Sequence, residues 1–531
     1  MDKQKIWIYD TTLRDGAQRE GISLSLHDKL KIVHTLDDMG IPFIEGGWPG
    51  ANPKDVQFFA QLQRESLRQA QVVAFCSTRR PSHHAQDDPL LKAILGANTE
   101  WITIFGKSWG LQVTEGLKTT LEENILMIED SINFLVSENR HVIYDAEHWF
   151  DGYKQNADYA LATLRGAMES GAEWLVLCDT NGGTLPHEVG RIVSEVVEKL
   201  ALKDYPQIKL GIHTHNDSGT AVAGALSAVL AGATMVQGTI NGYGERCGNA
   251  NLCSVIPNLQ LKLGYDCLDK AQLEQLTPHS RLISEIVNLA PDDHAPFVGR
   301  SAFAHKGGIH VSAVARNPLT YEHIVPETIG NERRIVISDQ SGLSNVLAKA
   351  KSFGIDLQKN DPTCREILQK LKNLENEGYQ FEAAEASFEL LMRRALGHRE
   401  EFFTIKGFQV HSDIAVIEHN PYTHALATVR VGVKGEELLE VAEGNGPVSA
   451  LDSALRKALV KFYPQIATFH LTDYKVRILN STAGTEAKTR VLIESSNGGG
   501  RWNTVGVSTN IIDASYQAVV EGIEYGLSKF H

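Results

Sequence analysis

Short apolar, β-branched runs recur at 6–10, 43–47, 72–76, 101–106, 141–147, 174–179, 209–215 and 235–241, and helical patterning fills most of the gaps between them. Eight strands alternating with helices over roughly 250 residues predict a (β/α)8 TIM barrel. Several strands follow a helix that ends in a small-residue turn, at Met39-Gly40-Ile41, Leu95-Gly96-Ala97, Ser170-Gly171-Ala172 and Ala231-Gly232-Ala233. Glycine at these places is expected to supply the left-handed cap that returns the chain to the sheet. In such barrels the chemistry collects at the C-terminal ends of the strands. Here those ends carry Asp10, Glu45, Asp145, Glu147, Asp179, Thr180, His213, His215 and Asn241. Polar residues on most of the strand ends favour a catalytic mouth over a solvated rim.

At 531 residues the chain is too long for the barrel alone. The βα rhythm stops after about residue 270, and a mainly helical stretch runs to roughly residue 400. It is interrupted by Phe303-Ala-His305-Lys306-Gly307-Gly308-Ile309-His310, where two glycines between histidines suit a loop or helix start that something approaches closely. Leu368 to Arg399 has the Glu/Leu-rich spacing of an amphipathic packing or linker helix. From about residue 401 alternating strands appear, clearest at Ala425–Val433 and Ala487–Glu494. Each is followed by a small-residue turn and a helix carrying Asp452 or Asp513, which reads as an internal duplication. The expected organisation is therefore a barrel over 1–270, helical linker subdomains over 271–400 and a duplicated α+β regulatory or dimerisation domain over 401–531. The duplicated helix N-termini are suited to a small anion or amino acid, and equally the module can serve dimerisation alone.

A formal charge of −14, with 51 Lys plus Arg, argues against nucleic acid or an anionic membrane surface as the main partner. No apolar run approaches the roughly 18 residues needed to span a bilayer, and a strand begins by Ile6 with no signal-like segment before it. Six cysteines without Cys-x-x-Cys spacing do not form a disulfide framework. A cytoplasmic, reducing location is expected. Cys76 and Cys178 read as core residues, and Cys247, in a Gly-rich loop beside polar residues, as a candidate reactive thiol.

His213 and His215 share one face of a strand, because side chains two apart point the same way. If Asp15 meets them at the barrel mouth, two neutral imidazoles and a carboxylate suit a divalent ion such as Zn²⁺, Mn²⁺ or Mg²⁺. Asn249, in the loop Asn241–Asn251, can add an amide oxygen. Such a site leaves room for a bidentate pair of substrate oxygens, as in a 2-keto acid.

The segment Asp10-Thr-Thr-Leu-Arg-Asp-Gly16, the His213-x-His215 pair, the loop holding Asn249 and the duplicated tail together resemble the metal-dependent acyl-CoA condensing barrels, the isopropylmalate, homocitrate and citramalate synthases. The match runs over essentially the whole chain. Ile44-Glu-Gly-Gly-Trp48-Pro-Gly-Ala-Asn52-Pro-Lys54-Asp55 and Tyr144-Asp-Ala-Glu147-His-Trp-Phe-Asp-Gly-Tyr153 are similar to one branch of the citramalate synthases. The resemblance implies condensation of acetyl-CoA with pyruvate, a homodimer, and feedback binding of an amino acid, isoleucine above all, near 444–452 and 506–513. It implies that Asp15, His213 and His215 ligate the metal with Asn249 in or near its shell. Arg14 would donate to the keto oxygen and Thr180 to the substrate carboxylate. Glu147 and His310 match the acid/base positions, with Tyr321 beside them.

Each assignment has a plainer alternative: a barrel salt bridge for Arg14, a helix cap for His310, core packing for Tyr321 and a buried structural acid for Asp179. For the chain as a whole the alternatives are the same chemistry on a larger keto acid, a related acyl-CoA lyase, or a non-catalytic metal-binding sensor. Asp145 departs from the aromatic that some citramalate synthases place there, and no local signature marks a coenzyme A site.

Overall fold

The computed structural model describes residues 3–398, 400–417 and 420–530. The chain divides into two compact units, Met1–Phe303 with Ile324–Arg333, and Ala304–His323 with Arg334–His531.

In the first unit eight parallel strands close into a barrel: β1 (Trp7–Asp10), β2 (Phe43–Gly47), β3 (Gln71–Ser77), β4 (Trp101–Lys107), β5 (His141–Glu147), β6 (Trp174–Asp179), β7 (Lys209–Thr214) and β8 (Met235–Gly238), with β8 returning to β1. The expected strands are found within a few residues of their places. The largest difference is β8, expected to reach residue 241. It stops at Gly238 because the returning loop takes over: Thr239 N donates to Ala250 O at 3.1 Å, and a Cβ on Gly238 would lie 2.5 Å from that oxygen.

Alternation along each strand separates two cores. Ile8, Ile44, Ile102, Leu175, Ile212 and Val236 face outward into the layer shared with the helices, while Tyr9, Phe43, Val73, Ile143, Trp174 and Val176 fill the barrel. The same period carries on upward. The inward positions above the filled layers are Glu45, Phe75, Phe105, Lys107, Asp145, Glu147, Cys178, Thr180, His213 and Gln237, so barrel geometry alone delivers them to one mouth. Left-handed glycines end the helices before β2, β6 and β8, as expected, at Gly40, Gly171 and Gly232. Gly96 does not follow; its φ of −64° is right-handed, and Asn98, whose short polar side chain tolerates the left-handed region, turns the chain instead.

The first helix of the second unit is Gly308–Val314, opened by the expected Gly-Gly pair. The single linker helix expected over 368–399 is two helices, Pro362–Glu377 and Glu385–Ala395. Gly378, at φ +117°, ends the first of them, and a Cβ there would lie 2.2 Å from Leu479. Arg399, the expected end, lies outside the described residues. Two antiparallel three-stranded sheets follow, Thr404–Ile417, Asn420–Val433 and Glu436–Gly444, then His470–Ile478, Thr489–Ser496 and Arg501–Ser508. Each precedes one helix, Pro447–Leu459 or Ile511–Lys529, so the duplicated α+β pattern is present. Val429, Val431, Leu451, Leu455, Val491 and Ala518 from both repeats share one buried core. Among the described residues no helix is long and apolar enough to cross a membrane.

Candidate active site

A cavity of about 260 Å³ opens at the barrel mouth, lined among others by Arg14, Asp15, Asp145, Glu147, Thr180, His213 and His215. Asp15 is placed by the turn after β1, where Asp10, fully buried, accepts from Thr12 N and Thr12 Oγ1 at 2.8 Å each. β7 places His213 and, one residue past its end, His215, and the loop after β8 brings in Asn249, which bridges to His215.

Asp15, His213 and His215 are all buried, and their ligand-type atoms lie within 4.8 Å of one another. His213 Nε2 is 3.2 Å from His215 Nε2 and 3.3 Å from Asp15 Oδ2. Asn249 Nδ2 donates to Asp15 Oδ2 at 2.9 Å, while its Oδ1 is buried without a hydrogen-bond partner. Burial works to raise Asp15, but Arg14 and His213 hold its carboxyl well below the usual range. Burial, followed by His213, pushes His215 down to about 3. His213 goes the other way: burial opposes its charge, and Asp15, Asp145 and Gln237 together outweigh that. A carboxylate, two imidazole nitrogens and an unpartnered amide oxygen converging in a buried cluster fit a divalent cation.

Gln237 is a residue that reading the strand ends overlooked. Its Oε1 lies 2.8 Å from His213 Nδ1, and its Nε2 donates to Asp145 Oδ1 at 2.9 Å. With the amide nitrogen committed to a carboxylate, the amide oxygen accepts from Nδ1–H, which turns the lone pair of His213 Nε2 toward Asp15. Asp145, 3 % exposed, is pushed up to about 7 by burial and then by Glu45.

Arg14 makes the barrel salt bridge of its plainer reading and also reaches the cavity. Its Nε pairs with the fully buried Glu45 at 2.5 Å, the barrel salt bridge, and its guanidinium carbon sits 3.8 Å above the Phe75 ring while the side chain still lines the cavity. Tyr9 also donates to Glu45, at 2.7 Å. Thr180 Oγ1 accepts from His148 N at 2.9 Å, which leaves the hydroxyl proton free to point into the cavity. Asp179 is the structural acid, accepting from Thr184 N and Thr184 Oγ1. Glu147 forms an ion pair with Lys107, a second residue missed because β4 was read as ending one residue early. Cys178 is buried in the strand yet also lines the cavity. Asn241, expected at a strand end, lies past β8 and bonds to Ser280 and Ser284 instead.

His310 and Tyr321 belong to the second unit, where their rings stack with centroids 4.2 Å apart. Tyr321 is 46 % exposed and is therefore not the core-packing residue of the plainer reading. His310 is also exposed, inside the helix Gly308–Val314.

A closed parallel barrel with a buried Asp-His-His cluster at the C-terminal ends of its strands defines a TIM-barrel protein with a divalent-metal type of ligand set. Residues 5–283 match the HMGL-like family model. Residues 297–379 match the homocitrate synthase post-HMGL domain-like model, and 382–527 the LeuA allosteric (dimerisation) domain. An (R)-citramalate synthase of Synechocystis is 70% identical, over 99% of this chain and 96% of its own length. One from Aquifex aeolicus is 52% identical over 99% and 98%. A probable 2-isopropylmalate synthase of Methanopyrus kandleri is 30% identical, over 98% of each chain. The chain belongs to the HMGL-like family, in its isopropylmalate, homocitrate and citramalate synthase branch.

Proposed function

We propose that this chain is an acyltransferase that condenses acetyl-CoA with pyruvate and water to give (R)-citramalate and free coenzyme A. The observation that carries the reading is the convergence of Asp15, His213, His215, Arg14, Glu147 and Thr180 on one small cavity, in a chain that matches (R)-citramalate synthases from end to end.

The reaction needs a proton taken from the acetyl methyl group, addition of that carbon to the keto carbon, and hydrolysis of the thioester. Glu147 lines the cavity and is paired with Lys107, so it is available there as a proton acceptor; His310, with Tyr321, is the other acid/base candidate. As the new bond forms, the keto oxygen becomes an oxyanion, and Arg14, held by Glu45, presents fixed positive charge to it. Thr180 donates to the substrate carboxylate. Asp15, His213 and His215 would hold a divalent ion, Mg²⁺, Mn²⁺ or Zn²⁺, with Asn249 adding its free Oδ1. When bound it supplies Lewis-acid polarisation of the keto acid.

A second cavity, about 340 Å³, shares Arg14, Gln18 and Trp48 with the first and continues past Asn52 and Lys54. In this reading the acetyl end of acetyl-CoA lies in the first cavity and its thioester arm extends into the second.

The same reading gives the chain a place in isoleucine synthesis, a cytoplasmic location and a homodimer built through the tail, with domains at 1–270, 271–400 and 401–531. The match to the allosteric (dimerisation) domain model supports feedback by isoleucine at the loops 444–452 and 506–513. Release of free thiol from acetyl-CoA, with Mn²⁺ or Mg²⁺ and four 2-keto acids in parallel, tests the activity. Pyruvate is expected to be preferred over 2-ketobutyrate, 2-ketoisovalerate and 2-ketoglutarate. Preference for a larger acid would move the chain to a sister synthase.

A further inference from the structure

The segment Gly46-Gly47-Trp48-Pro-Gly-Ala-Asn52-Pro-Lys54-Asp55 has so far served only as a mark of resemblance, yet the fold invests a buried ion pair in it. Lys29 and Asp55 are 3 % and 6 % exposed and lie 2.5 Å apart. A pair of charges withdrawn from water this far is poor evidence of stabilisation, so its geometric consequence matters more. Asp55 spends its second oxygen on the backbone: Oδ2 accepts from Trp48 N at 2.9 Å. Gly47, at φ +143°, lets the carboxylate approach, since a Cβ there would lie 2.4 Å from Oδ2. Trp48 O in turn accepts from Ala51 N and Asn52 N at 3.1 Å, so the turn that ends β2 is held from both sides.

That turn delivers an indole to the cavity. Trp48 packs edge-on against Phe75 and Phe105, with ring centroids 5.9 and 5.6 Å away, and those two rings stack on each other at 5.2 Å. The Arg14 guanidinium covers Phe75, so the aromatic wall begins directly beside the group assigned to the keto oxygen. A 2-keto acid carries its oxygen, its carboxylate and its alkyl group on adjoining carbons. With oxygen and carboxylate taken by Arg14, the metal ligands and Thr180, the alkyl group is left to the apolar side, and Trp48, Phe75 and Phe105 are the apolar side.

We propose that Trp48 is the specificity-determining wall that limits the alkyl group of the keto acid, and that Asp55, anchored by Lys29, is the residue that positions it. The proposal rests on the citramalate reading for the identity of the acid, and on the geometry for the wall itself.

The test compares pyruvate with 2-ketobutyrate, one methylene longer, in wild type, Trp48→Leu, Trp48→Phe, Asp55→Asn and the double variant Lys29→Met/Asp55→Asn, which leaves no unpaired buried charge. A methylene in a tight pocket is worth about 10- to 200-fold. Trp48→Leu is expected to shift the ratio of kcat/KM toward 2-ketobutyrate by about tenfold or more, chiefly through KM of the keto acid, with a smaller change in KM for acetyl-CoA. Trp48→Phe should keep most of the wild-type ratio. Asp55→Asn and the double variant should shift it in the same direction as Trp48→Leu while Mn²⁺ affinity stays at the wild-type value. A ratio within twofold of wild type in a Trp48→Leu protein with unchanged circular dichroism and Mn²⁺ affinity overturns the proposal. So does a change confined to KM for acetyl-CoA, which would assign the indole to the thioester cleft. Calorimetric binding of the two keto acids to the Mn²⁺-loaded protein gives the same ratio without turnover. If wild type releases no thiol with any acid, the citramalate reading fails and the binding ratio still decides on the wall.

Discussion

Gln237 Oε1 accepts from His213 Nδ1 across 2.8 Å, from the adjacent strand. Because the other end of the amide is committed to Asp145, the imidazole is held in one tautomer and one orientation. Replacing Gln237 with Leu removes the acceptor while keeping the bulk. Mn²⁺ affinity, followed by calorimetry on the full chain, is expected to fall about 10- to 100-fold. Unchanged affinity would mean that Gln237 only fills space.

Divalent metal is expected to stabilise the barrel by mass action, about 2.7 kcal/mol at a free concentration 100 times the dissociation constant. The melting temperature of the full chain should therefore rise with Mn²⁺ and return on adding a chelator. In Asp15→Asn the rise should disappear, because the carboxylate at the centre of the cluster is gone.

Arg14 is held by a planar Nε contact to Glu45 that lysine cannot copy. Arg14→Lys is therefore expected to behave like Arg14→Ala, with kcat lower by about 10²–10³-fold for loss of an oxyanion-stabilising donor. Substantial rescue by lysine would show that charge alone suffices.

Burial pushes Asp10 up to about 7, against the hydrogen bonds from Thr12. Between the ordinary carboxylate range and about pH 7 the folded protein keeps a proton that the unfolded chain releases, so this group makes stability fall as pH rises through that window. Asp10→Asn keeps an acceptor for Thr12 N and removes the charge. Its melting temperature is expected to match wild type at pH 5 and to exceed it by roughly 1–2 °C at pH 8, about the effect of 1 kcal/mol in a unit of this size. A constant difference at both pH values would assign the effect to the hydrogen bonds instead.

The barrel and most of its mouth were legible because a strand is a ruler. Once Asp145, Glu147, His213 and His215 are placed on alternate positions, their shared direction follows. Phe75, Phe105 and Gln237 obey the same ruler and escaped because aromatic and amide side chains at strand ends do not announce chemistry, while Lys107 escaped because β4 runs one residue further than its apolar pattern. Trp48, Asp55 and Lys29 could not be joined in that way, since they come from a strand end and two different helices and meet only when those elements pack. The single helix expected over 368–399 failed for a related reason: its periodicity continues in composition, while Gly378 turns the chain under Leu479, a contact about a hundred residues away.

Local pattern by itself determined the eight β/α units, the duplicated tail and the identity of the donor-type side chains at the mouth, because hydrophobic period and turn residues act over a few neighbours. Tertiary structure alone decided which partner each of those side chains has. Hydrogen-bond direction, burial and the resulting charge states of Asp15, His213 and Asp145 depend on atoms contributed by other strands at about 3 Å, and such distances exist only after the barrel has closed.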